Sequence, residues 1–250
     1  MILVAMGFAN NFLDARMAEN EFSTNKQFMH TVGFQIDDIA WTIGRTQTVR
    51  YSSQYGNMKV QSPAVNYTFE VDGEVVFSIG TGMILYNIPV STYSISNNYF
   101  ERIMPSSNGS FSQVGSSAPV CQVFCIEKLP MNEGNYTRLV VVPSIRMLNS
   151  TITGPGGPTL TNYYKFYLPT LVQGTHLYRS QSITMTGVDI TKVVRSGVNQ
   201  VRINVTFPNA GIGFDSGFFN FDNISETIPL SSGSIVEFYI GKVVVTLGQI

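Results

Sequence analysis

Apolar positions follow two regimes along this chain. Up to about Arg45 they recur at helical spacing, and from about Val65 onward they alternate with polar residues as strands do. Met1–Arg50 contains no proline and opens on MILVAMGFA, an uncharged apolar run. From Phe22 the pattern turns amphipathic. Met29, Val32, Ile36, Ile39, Ala40 and Ile43 recur at steps of three and four, while Asp37, Asp38 and Arg45 fall elsewhere on the wheel. The spacing predicts one long helix, apolar over 1–13 and amphipathic over 22–45. It is expected to lie against a sheet through Met29, Val32, Ile36, Ile39 and Ile43, with Trp41 beside that stripe and Asp37-Asp38 on the solvated side. Ser23-Thr24 marks a local cap or kink, and Gly44 with Thr46–Val49 marks fraying near Arg45–Tyr51.

The rest reads as β-structure. AVNYTFEV and EVVFSIG, joined by Asp72-Gly73, form the clearest hairpin signal, because that dipeptide accepts the positive φ angles of a tight turn. Further strands are expected over Met83–Tyr86, Val90–Ile95, Pro119–Glu127, Arg138–Met147, Asn162–Leu168, Leu177–Met185, Gln200–Phe207 and Ile235–Leu247. Pro143 predicts a bulge or an edge. Pro105–Ser117 and Thr153–Thr159 read as loops, Thr186–Ser196 as the place for one helical turn, and Gly211–Asn223 as aromatic and irregular. The expected fold is mainly β with one long N-terminal α-helix: an antiparallel β-sandwich, jelly-roll or immunoglobulin-like, of about eight to eleven strands. The domain reading is a helix over 1–52 and a β-domain over 55–250, with no internal repeat.

Composition narrows the function classes. Charged residues make up 12% of 250 and the net charge is −1, with Ser, Thr, Asn and Gly supplying the polar surface. No basic cluster occurs, which argues against a nucleic-acid partner or an electrostatic membrane patch. The nine-residue apolar run is too short to cross a bilayer, which takes about 20 residues. It also lacks the basic leader and cleavage site of a secretory signal. It is either a helix end docked on the body or part of a longer apolar helix beginning before Met1.

Candidate chemistry is sparse. Cys121 and Cys125 sit four apart, about 13 Å along a strand, too far for a disulfide, and read as buried hydrophobes. His30 falls on the helix and His176 in a turn. The chain has no HExxH, no Cys/His cluster, no G-x-S-x-G, no Rossmann fingerprint and no Walker loop. Glu70 and Glu74 flank the hairpin turn as solvated charges, and Asp215 with Asp222 is a weak calcium candidate. The reading is a non-enzyme with no catalytic residue, no cofactor and no metal site.

One pattern rises above background. Asn-x-Ser/Thr acceptors, none with proline in the middle, occur at Asn66, Asn108, Asn135, Asn149, Asn204 and Asn223. They point to an exported glycoprotein.

An apolar helix that turns amphipathic and then joins a glycosylatable β-domain resembles the archaeal type IV pilin superfamily of pilins and archaellins. Met1–Tyr51 carries the resemblance, with NEFSTNKQFMHTVGFQIDDIAWTIGRTQTVRYSS its more distinctive part. The β-body resembles pilin-like surface domains in architecture only. The resemblance implies that a signal and the first half of the apolar helix precede Met1. It also implies a cell-surface, extracellular protein, held in the membrane before assembly, that builds a filament with copies of itself. Ile2, Leu3, Val4, Met6, Phe8, Phe12 and Leu13 are the packing or membrane face so implied, and adhesion with a surface-glycan or S-layer contact the role. Two other readings stay open. One is a membrane-anchored binding module for carbohydrate or another surface ligand, using exposed aromatics such as Tyr163, Tyr164 and Phe166. The other is an envelope or viral coat subunit.

Overall fold

The structure, a computed structural model, describes residues 2–106, 109–153, 160–177 and 180–248, with side chains from Phe12 onward. Helix α1 runs unbroken over Ile2–Ala40, so Ser23-Thr24 is neither cap nor kink; Thr24 bonds back to the Asn20 carbonyl within the helix. The helix stops five residues before the expected end. Thr42 N–H closes on Ile39, Gly44 takes φ of 82°, and its N–H reaches the Gly187 carbonyl at 2.7 Å. Left-handed backbone suits glycine and turns the chain out of the helix. The β-branched run that follows then forms strand β1 (Thr46–Arg50) in place of a frayed helix end.

Ten further strands complete one sheet: β2 (Asn57–Val71), β3 (Glu74–Pro89), β4 (Tyr99–Met104), β5 (Ser112–Val114), β6 (Cys121–Glu127), β7 (Tyr136–Pro143), β8 (Ile145–Thr153), β9 (Leu160–His176), β10 (Ser182–Thr206) and β11 (Ser225–Gly248). A 3-10 turn at Ala210–Ile212 and a short helix α2 at Ser216–Phe219 fill the aromatic stretch before β11. Asp72 and Gly73 turn the β2–β3 hairpin as expected, both at positive φ.

The strand order is β4-β6-β7-β3-β2-β10-β11-β9-β8-β5, with β1 added to β10. The sheet is mainly antiparallel, but β9 runs parallel to β11 and β5 parallel to β8. It therefore departs from the expected antiparallel sandwich: it is a mixed sheet and is not closed. Alternation reports which face a residue occupies and says nothing of which distant strand lies beside it, so parallel pairs leave no local mark.

Several expected segments differ. Thr186–Ser196 holds no helical turn; it is the middle of β10, which joins the separately expected 177–185 and 200–207 strands. Val90–Ile95 is a turn beyond β3, and the expected Arg138–Met147 strand is divided at Pro143–Ser144 into β7 and β8. Pro143 marks that division, while β7 itself lies between β6 and β3. His176 is the last residue of β9, opposite Leu247, not part of a turn. The Thr153–Thr159 loop lies largely outside the described residues.

The central strands bury both faces. Leu85, Phe124, Ile126, Val140 and Val142 point into an inner core shared with Phe166, Leu168, Val236 and Phe238 of the β9–β11 half. Ile84, Tyr86, Val123, Leu139 and Val141 point the opposite way, toward α1. The sheet folds over the inner core so that its halves meet: Leu171 N–H bonds the Thr81 hydroxyl at 3.0 Å. Cys121 and Cys125 are buried and free, both on the helix-facing side of β6, in keeping with their spacing.

Candidate assembly surface

The helix docks through the face its periodicity marks. Met29, Val32, Ile36 and Ile39 are fully buried on β6, β7, β10 and β11, with Ala18, Phe22 and Ala40 extending the contact. Ile43 is the correction. It is 64% exposed, because α1 ends at Ala40 and position 43 lies in the turn. Trp41 takes the place at that end, edge-on to Tyr167 and donating Nε1–H to Asp37 at 2.8 Å. Asp37 also receives Arg146 at 2.7 Å, so this carboxylate is a contact to β8 and not simply a solvated charge. Asp38 pairs with Arg45 across the turn.

Two glycines seat the last helical turn. A side-chain carbon on Gly241 would collide with the Ala40 carbonyl, and one on Gly187 with the carbonyls of Ile39 and Thr42. The missing Cβ atoms let the end of α1 lie directly on β10 and β11.

Near the middle of α1, Glu21 forms the clasp that sequence reasoning missed. Its buried carboxylate accepts N–H bonds from Gln54 (2.8 Å), Tyr55 (2.9 Å) and Gly56 (3.0 Å), a hydroxyl bond from Ser52 (3.1 Å) and one from Tyr86. One turn on, Asn25 donates to the Ser52 carbonyl at 2.8 Å. Burial works against the Glu21 charge, but the Tyr86 hydroxyl and the three N–H groups outweigh it and hold the carboxyl below its ordinary value. Burial and the adjoining carboxylate push the Tyr86 phenol up. The loop between β1 and β2 is thereby tied to the helix. A Glu set between the apolar positions Ala18 and Phe22 was the only sequence signal, and it does not identify its partners.

Before Ala18 the helix leaves the body. Phe12 through Met17 are six successive exposed residues, more than a full turn at 3.6 residues per turn, so no face of this segment is buried on the sheet. Phe12 and Leu13 are 61% and 57% exposed. Among described side chains the first contact with the body is Asp14, whose carboxylate accepts from the Tyr55 hydroxyl at 3.2 Å. The backbone continues as helix back to Ile2. Ile2, Leu3, Val4, Met6 and Phe8 lie on it, with side chains outside the described residues. Among the described residues no helix is long and apolar enough to cross a membrane.

The other singled-out residues scatter. Tyr164 and Phe166 face the inner core. On the opposite face, the Tyr167 ring stacks on Tyr239 with centroids 5.0 Å apart, flanked by Arg146 over Tyr167 and Lys192 over Tyr239. Tyr163 shares that outer face by alternation and is half-buried. Asp215 caps α2 and pairs with Lys128, while Asp222 accepts from Gly109 N–H and lies 4.0 Å from Arg102. No cluster able to hold a metal forms among the described residues. His30 lies edge-on to Phe34. Glu70 is bonded by Asn204 Nδ2, whereas Glu74 is exposed. Of the sequons, Asn135, Asn149 and Asn223 are exposed, Asn66 and Asn204 are half-buried, and Asn108 lies outside the described residues.

No protein-family model, curated protein or solved structure matches this chain.

Proposed function

We propose that this protein is a non-enzymatic, pilin-like subunit of an archaeal cell-surface filament, assembling through its N-terminal helix and displaying its β-domain outward. The observation that carries the reading is the departure of α1 from the body at Phe12–Met17. The helix that leaves the sheet at Phe12–Met17 continues back through an uncharged, largely apolar sequence to Ile2, and such a helix requires cover from lipid or from other helices. Copies repeating head to tail by a rotation that does not close produce a filament with those helices inside. Docking from Ala18 onward holds the arm at a set angle to the body, which a regular lattice requires. The sparse charge and the exposed sequons Asn135, Asn149 and Asn223 suit an outward, glycosylated adhesion surface.

A carbohydrate-binding module anchored by the helix is less well supported. Sugars stack on open aromatic faces, and the Tyr167 and Tyr239 faces are taken by each other, by Arg146 and by Lys192. A coat subunit is the remaining alternative, and would self-assemble into shells or sheets.

Deleting Met1–Leu13 is the test. The expected product is folded and soluble and forms no filaments by electron microscopy, while the full chain is recovered as filaments from a sheared surface fraction. Filaments unchanged by the deletion would overturn the proposal, and shells in their place would favour the coat reading.

A further inference from the structure

Strand β10 has a stretch with a neighbour on one side only. β11 lines one edge along most of its length, while β1 takes the other edge over Ser182–Thr186 and β2 takes it over Val201–Thr206. At the margins of the gap, Gly187 closes on Gly44 and Arg45, and Asn199 and Gln200 close on Asp72. Between them, from Val188 to Ser196, no strand among the described residues pairs with this edge. Register shifts at Gly187/Asp189 and Ser196/Val198 set the stretch apart. Apart from half-buried Ile190 and Val193, all of it is exposed, including Val188 (40%) and Val194 (43%). An unpaired edge is a template for another strand. Here the Val194 carbonyl accepts from its neighbour's guanidinium, that of Arg195, at 2.9 Å.

We propose that this edge pairs antiparallel with the same edge of a second copy, about a two-fold axis through Lys192. That register sets Asp189 opposite Arg195, Ile190 opposite Val194 and Thr191 opposite Val193, each twice. Asp189 and Arg195 form no ion pair within their own chain among the described residues, and this register satisfies both at both ends. Only pairing centred on residue 192 brings the two together, so the charges select the register. Lys192 meets its own copy on the axis, but its ammonium is held by Glu237 at 2.8 Å and lies over Tyr239 within its own chain. The contact is isologous, the same patch on both partners. It does not depend on the filament proposal, because it lies in the β-body and not on the arm.

The full chain carrying Lys192→Cys tests it. Paired residues on the axis sit about 4.5–5.5 Å apart, within disulfide reach. Cys121 and Cys125 are buried and do not compete. Mild oxidation is expected to link Lys192→Cys into a dimer on a non-reducing denaturing gel. Val194→Cys is expected to stay single, since two copies of residue 194 lie about 13 Å apart in this register. Adding Asp189→Arg or Arg195→Asp to Lys192→Cys sets like charges opposite each other and is expected to reduce linking roughly tenfold or more. Mixing those two double variants restores opposite charges at both ends and is expected to restore the link, which also shows that each is folded. No dimer from Lys192→Cys, equal linking at 194, or no recovery on mixing would each overturn the proposal.

Discussion

Glu21 joins α1 to the β1–β2 loop through four bonds and to Tyr86 of β3 through a fifth, and its charge is what the surrounding donors require. Glu21→Gln keeps the shape but replaces one acceptor oxygen with an amide donor facing other donors. The expected loss is about 2–3 kcal/mol at neutral pH, measured by urea unfolding. The pH dependence follows from the lowered pKa. The folded value lies below the ordinary 4.5, so the clasp contributes fully above 4.5 and is lost as pH falls through the folded value. The stability gap between wild type and Glu21→Gln is therefore expected to narrow on acidification below 4.5, and a gap unchanged at lower pH would contradict this account. Gly241 makes a second demand at single-residue scale. Gly241→Ala drives a methyl into the Ala40 carbonyl, and relief by shifting the helix end is expected to cost about 1–3 kcal/mol. Trp41, the sole tryptophan, lies at that turn, so its fluorescence reports the shift.

At the scale of elements, α1 behaves as two segments of one helix. From Ala18 to Ala40 it covers the outer face of the sheet; over Phe12–Met17 it is exposed, touched by the body at the Tyr55 hydroxyl. Ile36→Ala removes a fully buried side chain between helix and sheet and is expected to cost about 2–5 kcal/mol. Ile43→Ala, about two helical turns further on by sequence, is expected to change stability by less than about 0.5 kcal/mol, because that side chain is exposed. Chemical denaturation of the two variants side by side measures where the helix stops docking. The sequence pattern ran through both positions without a break. Only the turn at Thr42–Gly44, closed on Gly187 of a strand some 140 residues away, ends it.

For the whole molecule, exposure ranks the sequons. Asn204 is half-buried and its Nδ2, the atom a glycan would occupy, donates to Glu70 at 2.7 Å. Asn135, Asn149 and Asn223 are exposed. In native surface material, peptide mapping by mass spectrometry is expected to find sugar at some of these three and none at Asn204. Sugar at Asn204 would require the β2–β10 pairing around it to open.

Local order was legible in the sequence wherever the physical cause is local. The helical stripe from Met29 to Ile39, the Asp72-Gly73 turn and the alternation of Val65–Val71 each arise from residues within one or two turns of each other, and each is present in the fold. The inability of Cys121 and Cys125 to bridge is equally a matter of spacing along one strand. What tertiary structure alone decided depends on partners far apart in the chain. Thr186–Ser196 carries glycine and charge like a turn, yet β11 holds it as strand. Glu21 reads as an ordinary helix charge until the β1–β2 loop brings donors around it. The absence of a side chain at Gly187 and Gly241 shows no purpose until the end of α1 is laid on them. Parallel pairing of β9 with β11 has no signature within either strand. Periodicity encodes which face of an element is apolar; which surface meets that face is settled by packing the whole chain, where burial and hydrogen bonding are satisfied together.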